Sequence, residues 1–304
     1  MNISDLTCIL TIAEERSISK AAKKLFMAQS SLSQSLQEME AELGGRLFVR
    51  TSTGVRLTPA GEQMIAYARD ALVDYRQLKN KIQDTEELKA GKVELGVSTF
   101  RGSYLIPKVL SLFRKKYPGI QVEITEANSM ELEQLLIAGR IDLALVALPL
   151  MKLQADAELL MKDEICLAVS SSHPVLKFVR EIEKNGEKHK YVELEDTIEF
   201  EYVLSGYDTI LGYTARNEFK KRKLKPKVCN ANLTAFFAAA MARDGLGLAF
   251  TYASCRGNYN DVTYLSIGRE GIYLDLALAF PPDGYRSKAA RALENCFLAS
   301  RFSK

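Results

Sequence analysis

Apolar residues recur at helical spacing from the start of the chain. Leu6, Ile9, Leu10 and Ala13 form one stripe, with Ser4 and Asp5 as candidate caps. "SISKAAKKLF" follows, with Ser17 or Ser19 able to cap and Ala21, Ala22 and Leu25 facing inward. After a tight turn near Met27 a third helix places Leu32, Leu36, Met39 and Leu43 on one face and ends at Gly44-Gly45, where positive φ is free. "RLFVRTSTGVRLTPAGE" then reads as a small hairpin of Arg46–Arg50 and Val55–Thr58. Pro59 opens another helix, a first-turn position that needs no amide donor. Along it Met64, Ala68, Ala71, Tyr75, Leu78 and Ile82 fall at intervals of four, three, four, three and four, a heptad seam. An amphipathic helix lying on its own domain has the same spacing. The mostly charged or polar neighbours (Arg69, Asp70, Asp74, Arg76, Lys79, Lys81) leave one narrow stripe and favour a dimerising helix.

After "LKAGK" the period changes. "VELGVSTF", "IQVEITEA" and "IDLALVAL" read as strands, separated by the helices "SYLIPKVLSLFRKKYP" and "SMELEQLLIAG". Such alternation predicts a parallel sheet with crossover helices. "EICLAVS" continues as strand, and the charged "VREIEKNGEKHK" reads as exposed loop or helix. Further strands are "EYVLSG", "PKVCN", "LGLAFTY" and "IYLDLALAF"; further helices are "TILGYTARNEFKKRK", "LTAFFAAAMARDG" and "SKAARALENCFLA". The expected fold is multidomain, α followed by α/β, with two α/β subdomains sharing a cleft.

The third helix has an unusual outer face. Gln29, Ser30, Ser31, Ser33, Gln34 and Gln37 are neutral groups that donate and accept hydrogen bonds, where solvated faces ordinarily carry Lys and Glu. Two short helices and a tight turn with such a face fit a helix-turn-helix that enters the DNA major groove. A Gln amide can donate to N7 and accept from N6-H of adenine together, and Ser adapts to either kind of base edge. Positive charge stands on the flanks: Lys20, Lys23 and Lys24 before the turn, and Arg46, Arg50 and Arg56 around the hairpin, whose tip adds Thr51 and Thr53. Lys20, Arg50, Thr51, Thr53 and Arg56 are candidate contacts to the DNA backbone.

Composition narrows the function classes. The chain has 304 residues, enough for two or three domains, and a formal charge of only +3, so a polyanion would be met by local patches. Five cysteines are scattered without CxxC or metal-ligand spacing, as in reduced cytosolic proteins. The N-terminus lacks the pattern of a signal peptide, and no apolar run reaches the ~20 residues of a membrane span, so a cytoplasmic location is expected. GxSxG, HExxH, GxxxxGK[ST] and GxGxxG are all missing, and His173 and His189 have no evident triad or metal partners. Neither an enzyme, a cofactor nor a metal is expected. A solute-binding module and a cysteine-based redox regulator remain as alternatives.

"AAKKL" (Ala21–Leu25), Gln29 to Ser33, "MEAELGGRLFVR" (Met39–Arg50) and "LTPAG" (Leu57–Gly61) together resemble the LysR-type transcriptional regulators. The resemblance continues through "YLIPKVLSLFRKKYPGIQVEI", "AGRIDLALV", "SSHPV" and "DGLGLAF", and so covers essentially the whole chain. Ser30 replaces a common proline, Met39 a usual leucine, and Thr251-Tyr252 stands where a proline commonly ends the "GLGLAF" strand. The resemblance implies a winged helix-turn-helix over 1–59, a dimerising linker helix over 60–90, and an effector domain like periplasmic binding proteins. The latter divides into 91–162 with 267–304 as one subdomain and 163–266 as the other. Homodimers pairing into tetramers, double-stranded DNA, a small-molecule effector and RNA polymerase are the implied partners.

Open parallel sheets bind ligands beyond the carboxyl ends of their strands, where helix N-termini present free amides. Those positions are Ser98, Thr99, Phe100 and Arg101; Asn128 and Ser129; Ala147; and Ser205, Tyr207, Asp208 and Thr209. Ser129 and Thr209 serve equally as N-caps. Arg101 is read either as a bidentate clamp on an organic acid or as a solvated surface arginine.

Overall fold

The computed structural model describes residues 1–52, 54–83, 91–155, 157–184, 186–257, 259–282 and 285–300. Thr53 and residues 84–90, the expected end of the linker helix, lie outside the described residues. The chain forms two units, Met1–Thr85 and Glu86–Lys304.

In the first unit α1 (Ile3–Glu15) begins with a capping box. The cap is Asn2, one step earlier than the candidates Ser4 and Asp5: its side chain accepts from Asp5 N at 3.0 Å, and the Asp5 carboxylate accepts from Asn2 N at 2.7 Å. Helix α2 (Ile18–Lys24) is capped by Ser17, and α3 (Gln29–Leu43) ends on Gly44 at φ +69°. Leu6, Ile9, Ile12, Ala21, Leu32, Leu36 and Met39 close a core with Leu47 and Phe48. Strands β1 (Phe48–Thr51) and β2 (Gly54–Leu57) pair antiparallel as the wing. Gly54 is required there: its φ is +142°, and a Cβ would stand 2.2 Å from the Arg16 carbonyl oxygen. Glu40 ties wing to α3, its Oε1 accepting from Leu47 N at 2.7 Å and Phe48 N at 3.1 Å.

Helix α4 (Pro59–Gln83) corrects the heptad expectation. Met64 and Ala68 are buried in the unit's own core at 7% and 0% exposure, and Ala71 packs against it. They cannot belong to a dimer seam. Tyr75, Leu78 and Ile82 are 49%, 55% and 60% exposed.

The second unit starts with β3 (Gly91–Val97), α5 (Thr99–Lys116), β4 (Ile120–Glu126), α6 (Ser129–Ile137) and β5 (Leu143–Ala147). These strands are parallel as expected. The long β6 (Ala157–Ser170) follows, then β7 (Arg180–Lys184), β8 (Glu187–Val192), β9 (Glu201–Ser205), α7 (Ile210–Lys221), β10 (Lys227–Leu233) and α8 (Ala235–Arg243). Strands β11 (Ala249–Tyr252), β12 (Val262–Ile267) and β13 (Ile272–Ala279) precede α9 (Lys288–Ala299). The large sheet runs β4-β3-β5-β13-β6-β12-β8-β7, with β11 also on β6. It is mixed, contrary to the parallel expectation, because β13 lies antiparallel to both β5 and β6. The stretch read as loop or helix is the β7–β8 hairpin, whose register sets opposite charges across from each other, Glu181 by Lys190 and Glu183 by Lys188.

Two hydrophobic cores flank β6. One gathers Leu95, Val109, Phe113, Leu145, Leu278 and Phe297; the other gathers Leu167, Tyr202, Phe219, Leu248, Phe250 and Leu265. Glu133 of α6, beside a smaller cluster of Leu132, Leu136 and Leu153, is buried at 2% exposure, and its carboxylate accepts from Met151 N, Lys152 N and Leu153 N. Glu133→Ala strips three amides of their acceptor and should cost about 2–3 kcal/mol in urea unfolding. A midpoint equal to wild type would mean that solvent replaces the carboxylate without loss.

Candidate functional site

Four helices begin at one cavity of about 340 Å³. Ser98, Thr99, Phe100 and Arg101 bring the start of α5; Glu126, Ala127, Asn128 and Ser129 join β4 to α6. Asp208, Thr209, Ile210 and Leu211 open α7, and Thr234, Ala235 and Phe236 open α8. Asn128 caps α6 by accepting from Glu131 N at 3.0 Å, Thr209 caps α7 through Gly212 N at 3.0 Å, and Thr234 caps α8 through Phe237 N at 3.2 Å. Ser129 is the first residue of its helix and leaves the capping to Asn128. Converging N-termini supply free amides and partial positive charge, a setting that favours an anionic group.

Arg101 is neither a solvated arginine nor a free clamp. Its side chain is 3% exposed, and its Nε lies 3.6 Å from Oδ2 of Asp163, itself 0% exposed. Asp163 accepts from Ser254 N at 3.0 Å and from Ser254 Oγ at 2.7 Å. The guanidinium lies flat over Tyr252, 3.6 Å from the ring centre. Burial pushes the Tyr252 phenol up to about 12, against the opposing pull of Arg101. The Arg101 Nε and Nη2 are buried without a hydrogen-bond partner. Nε is the atom turned to Asp163, so this edge of the guanidinium is directed at β6. Phe100 stands 6.4 Å from Phe236 and 6.1 Å from Tyr252, ring centre to ring centre, giving the cavity an aromatic wall.

Eight of the expected effector residues thus line one cavity: Ser98, Thr99, Phe100, Arg101, Asn128, Ser129, Asp208 and Thr209. Three do not. Ala147 is buried within β5 opposite Leu276. The Ser205 side chain is buried, and its carbonyl accepts from Arg216 Nη1 at 2.7 Å. Tyr207 turns outward, 70% exposed, and stacks on Arg216 at 3.7 Å. Sequence reasoning missed Glu126, Thr234, Phe236 and Tyr252. The signal for Thr234 was present, since "NLTAFF" repeats the strand, cap and helix order of the loops that were recognised.

In the first unit Gln29, Ser30, Ser31, Gln34 and Gln37 are exposed along α3, with Ser33 half-buried. Gln34 Nε2 donates to Glu38 Oε1 at 2.9 Å, and Gln29 Oε1 accepts from Ser19 Oγ at 2.8 Å, so both amides are oriented. Lys20, Arg50, Thr51 and Arg56 are exposed. Lys24 is committed elsewhere, to Glu14 at 3.2 Å and Glu15 at 2.9 Å.

Among the described residues no cluster of three or more His, Cys, Asp or Glu suits a metal ion, and no helix is long and apolar enough to cross a membrane. All five cysteines are free, with Cys229 alone exposed. Burial pushes the Cys166 thiol up to about 11 and that of Cys255 up to about 12.

A model of the LysR substrate binding domain matches residues 86–301, and one of the bacterial regulatory helix-turn-helix protein, lysR family, matches residues 3–62. The uncharacterised HTH-type transcriptional regulator YcgK of Bacillus subtilis (strain 168) is 33% identical over 169 residues. That alignment takes in 56% of this chain and 52% of YcgK, so the chain spans about half the length of that relative. A probable RuBisCO transcriptional regulator from Nostoc sp. is 27% identical over 296 residues, 95% of this chain and 86% of that protein. Among solved structures, a full-length OxyR from Pseudomonas aeruginosa has a TM-score of 0.66 at 21% identity, covering 98% of both chains. Full-length CbnR complexed with its target DNA has a TM-score of 0.65 at 19% identity, covering 100% of both. These two likenesses bear on the fold. With models for both of its parts matched along one chain, the protein belongs to the LysR family of helix-turn-helix regulators.

Proposed function

We propose that this protein is a cytoplasmic transcriptional regulator that reads double-stranded DNA through α3. It answers to a small organic acid held in the cleft at Arg101. The observation that carries the effector half is Arg101, the one basic side chain among the described residues lining the cavity where four helices begin. A carboxylate beside that guanidinium would lie in the field of the helix N-termini. Arg101→Ala should abolish the response of the full chain to carboxylate effectors in a transcription assay. An unchanged response would remove the clamp.

On the DNA side Gln34 is the base reader and Arg50 a backbone contact of the wing. Gln34→Ala should lose about 1–3 kcal/mol on the cognate operator and relax discrimination at one base step. Arg50→Ala should weaken cognate and random duplexes alike and lower the salt slope by about one. Equal losses on both duplexes for Gln34→Ala would remove it as a reader. The functional protein is a homodimer through the exposed stripe of α4 and assembles further into a homotetramer that contacts RNA polymerase.

The redox alternative is opposed by its own cysteines. A reactive thiol needs a lowered pKa, whereas burial raises those of Cys8, Cys166, Cys255 and Cys296. The exposed Cys229 donates its thiol to Tyr202 O and Leu246 O at 3.4 and 3.5 Å.

A further inference from the structure

The cleft holds more negative charge than an acid effector alone would tolerate. Arg101 is the one basic side chain among the described residues lining it, and Asp163 Oδ2 already lies 3.6 Å from its Nε. Two further carboxylates, Glu126 and Asp208, line the same cavity from different sides, one at the end of β4 and the other before α7. Both are exposed, whereas Arg101 is buried. Glu126 Oε2 accepts from Thr99 Oγ1 at 2.7 Å, which holds that carboxylate at the start of α5. The cleft is therefore polarised, with a buried guanidinium and helix N-termini on its lining and two acidic side chains where it is open. A simple carboxylate would satisfy the first and be repelled by the second.

We propose that the effector is a zwitterion, a small amino acid or a close relative. Its carboxylate meets the Arg101 guanidinium and the helix N-termini around it, and its ammonium group is held between Glu126 and Asp208. This rests on the assignment of Arg101 as the carboxylate site and adds the opposite charge. The aromatic wall of Phe100, Phe236 and Tyr252 then covers the apolar part of the ligand, and a cavity of about 340 Å³ limits it to a small metabolite.

The test is thermal unfolding of the full chain with matched probes. These are L-leucine, L-methionine, L-phenylalanine, 4-aminobutanoate and 6-aminohexanoate, each beside the acid that lacks the amine and the amide that lacks the carboxylate. A ligand that binds only the folded state raises the midpoint with the logarithm of its concentration. At least one zwitterion should raise it, with its deaminated acid and its amide each weaker by roughly 10-fold to 100-fold, the worth of one charge-assisted hydrogen bond. Glu126→Gln or Asp208→Asn should weaken the zwitterion and tighten its deaminated acid, narrowing the preference between them. An acid that binds as tightly as its amino counterpart overturns the zwitterion and keeps the Arg101 assignment. An amide that binds as tightly as the zwitterion overturns both. Silence of every zwitterion overturns the proposal, and silence of the acids as well takes the Arg101 assignment with it.

Discussion

Asp163→Ala is expected to destabilise the second unit by about 3–5 kcal/mol, the cost of leaving one partner of a buried ion pair without the other. Arg101 is almost fully enclosed, and its guanidinium has Tyr252 against one face and Asp163 at 3.6 Å as its charge partner. Removing the carboxylate also takes away the acceptor of both the Ser254 amide and the Ser254 hydroxyl. Asp163→Asn separates the two losses, because it keeps an oxygen for Ser254 and discards only the charge. A fall close to that of Asp163→Ala assigns most of the effect to the guanidinium. Arg101→Met combined with Asp163→Leu should then recover most of the stability, since apolar side chains of similar volume commonly replace a buried pair without loss. Urea unfolding of the double variant, its two single variants and wild type gives the coupling directly. A loss below about 1 kcal/mol for Asp163→Ala would show that water reaches Arg101 and screens it.

The same residue shows where sequence stops being informative. Arg101 was visible as an arginine at the start of a helix, and its place beside the cleft followed from the strand-to-helix order. Its burial did not, because the group that allows it, Asp163, stands on β6, far along the chain, and a single sequence carries no sign of that pairing. Tyr252 was seen only as a departure from a family proline, although it forms the surface on which the guanidinium rests.

Helix α3 was legible in its extent and inward face, since Leu32, Leu36 and Met39 are buried and Gly44 marks the end, although Leu43, read onto the same face, is 45% exposed. The β7–β8 hairpin was not, because strands at a sheet edge can be held by opposite charges across the ladder and then lack an apolar alternation. Strand β12 escaped as well, its apolar residues being interrupted by Thr263 and Ser266. Ser205 and Tyr207 were placed in the cleft by proximity to Asp208, yet the backbone turns at Gly206 and sends the two side chains elsewhere.

The seam of α4 has one spacing along its length but two kinds of surroundings, and that division sets the second large effect. A period of 3.5 is the same whether the stripe faces its own domain or another chain. Up to Ala71 it faces α1 and the core of its own unit. Tyr75 and Leu78 lie past that core and remain half exposed, with Ile82 one turn further on. A partner helix burying Leu78 and Ile82 on both chains would gain about 1.5–3 kcal/mol per side chain. Leu78→Glu together with Ile82→Glu should therefore raise the dimer dissociation constant by about four orders of magnitude. Sedimentation should then find monomers at micromolar concentration, and affinity for an operator with two half-sites should fall towards that for one. Arg69→Glu, exposed on the same helix, should leave the dimer intact and controls for added charge. Dimers that survive the double variant at nanomolar concentration would mean that this stripe meets no second chain and that assembly runs through the second unit.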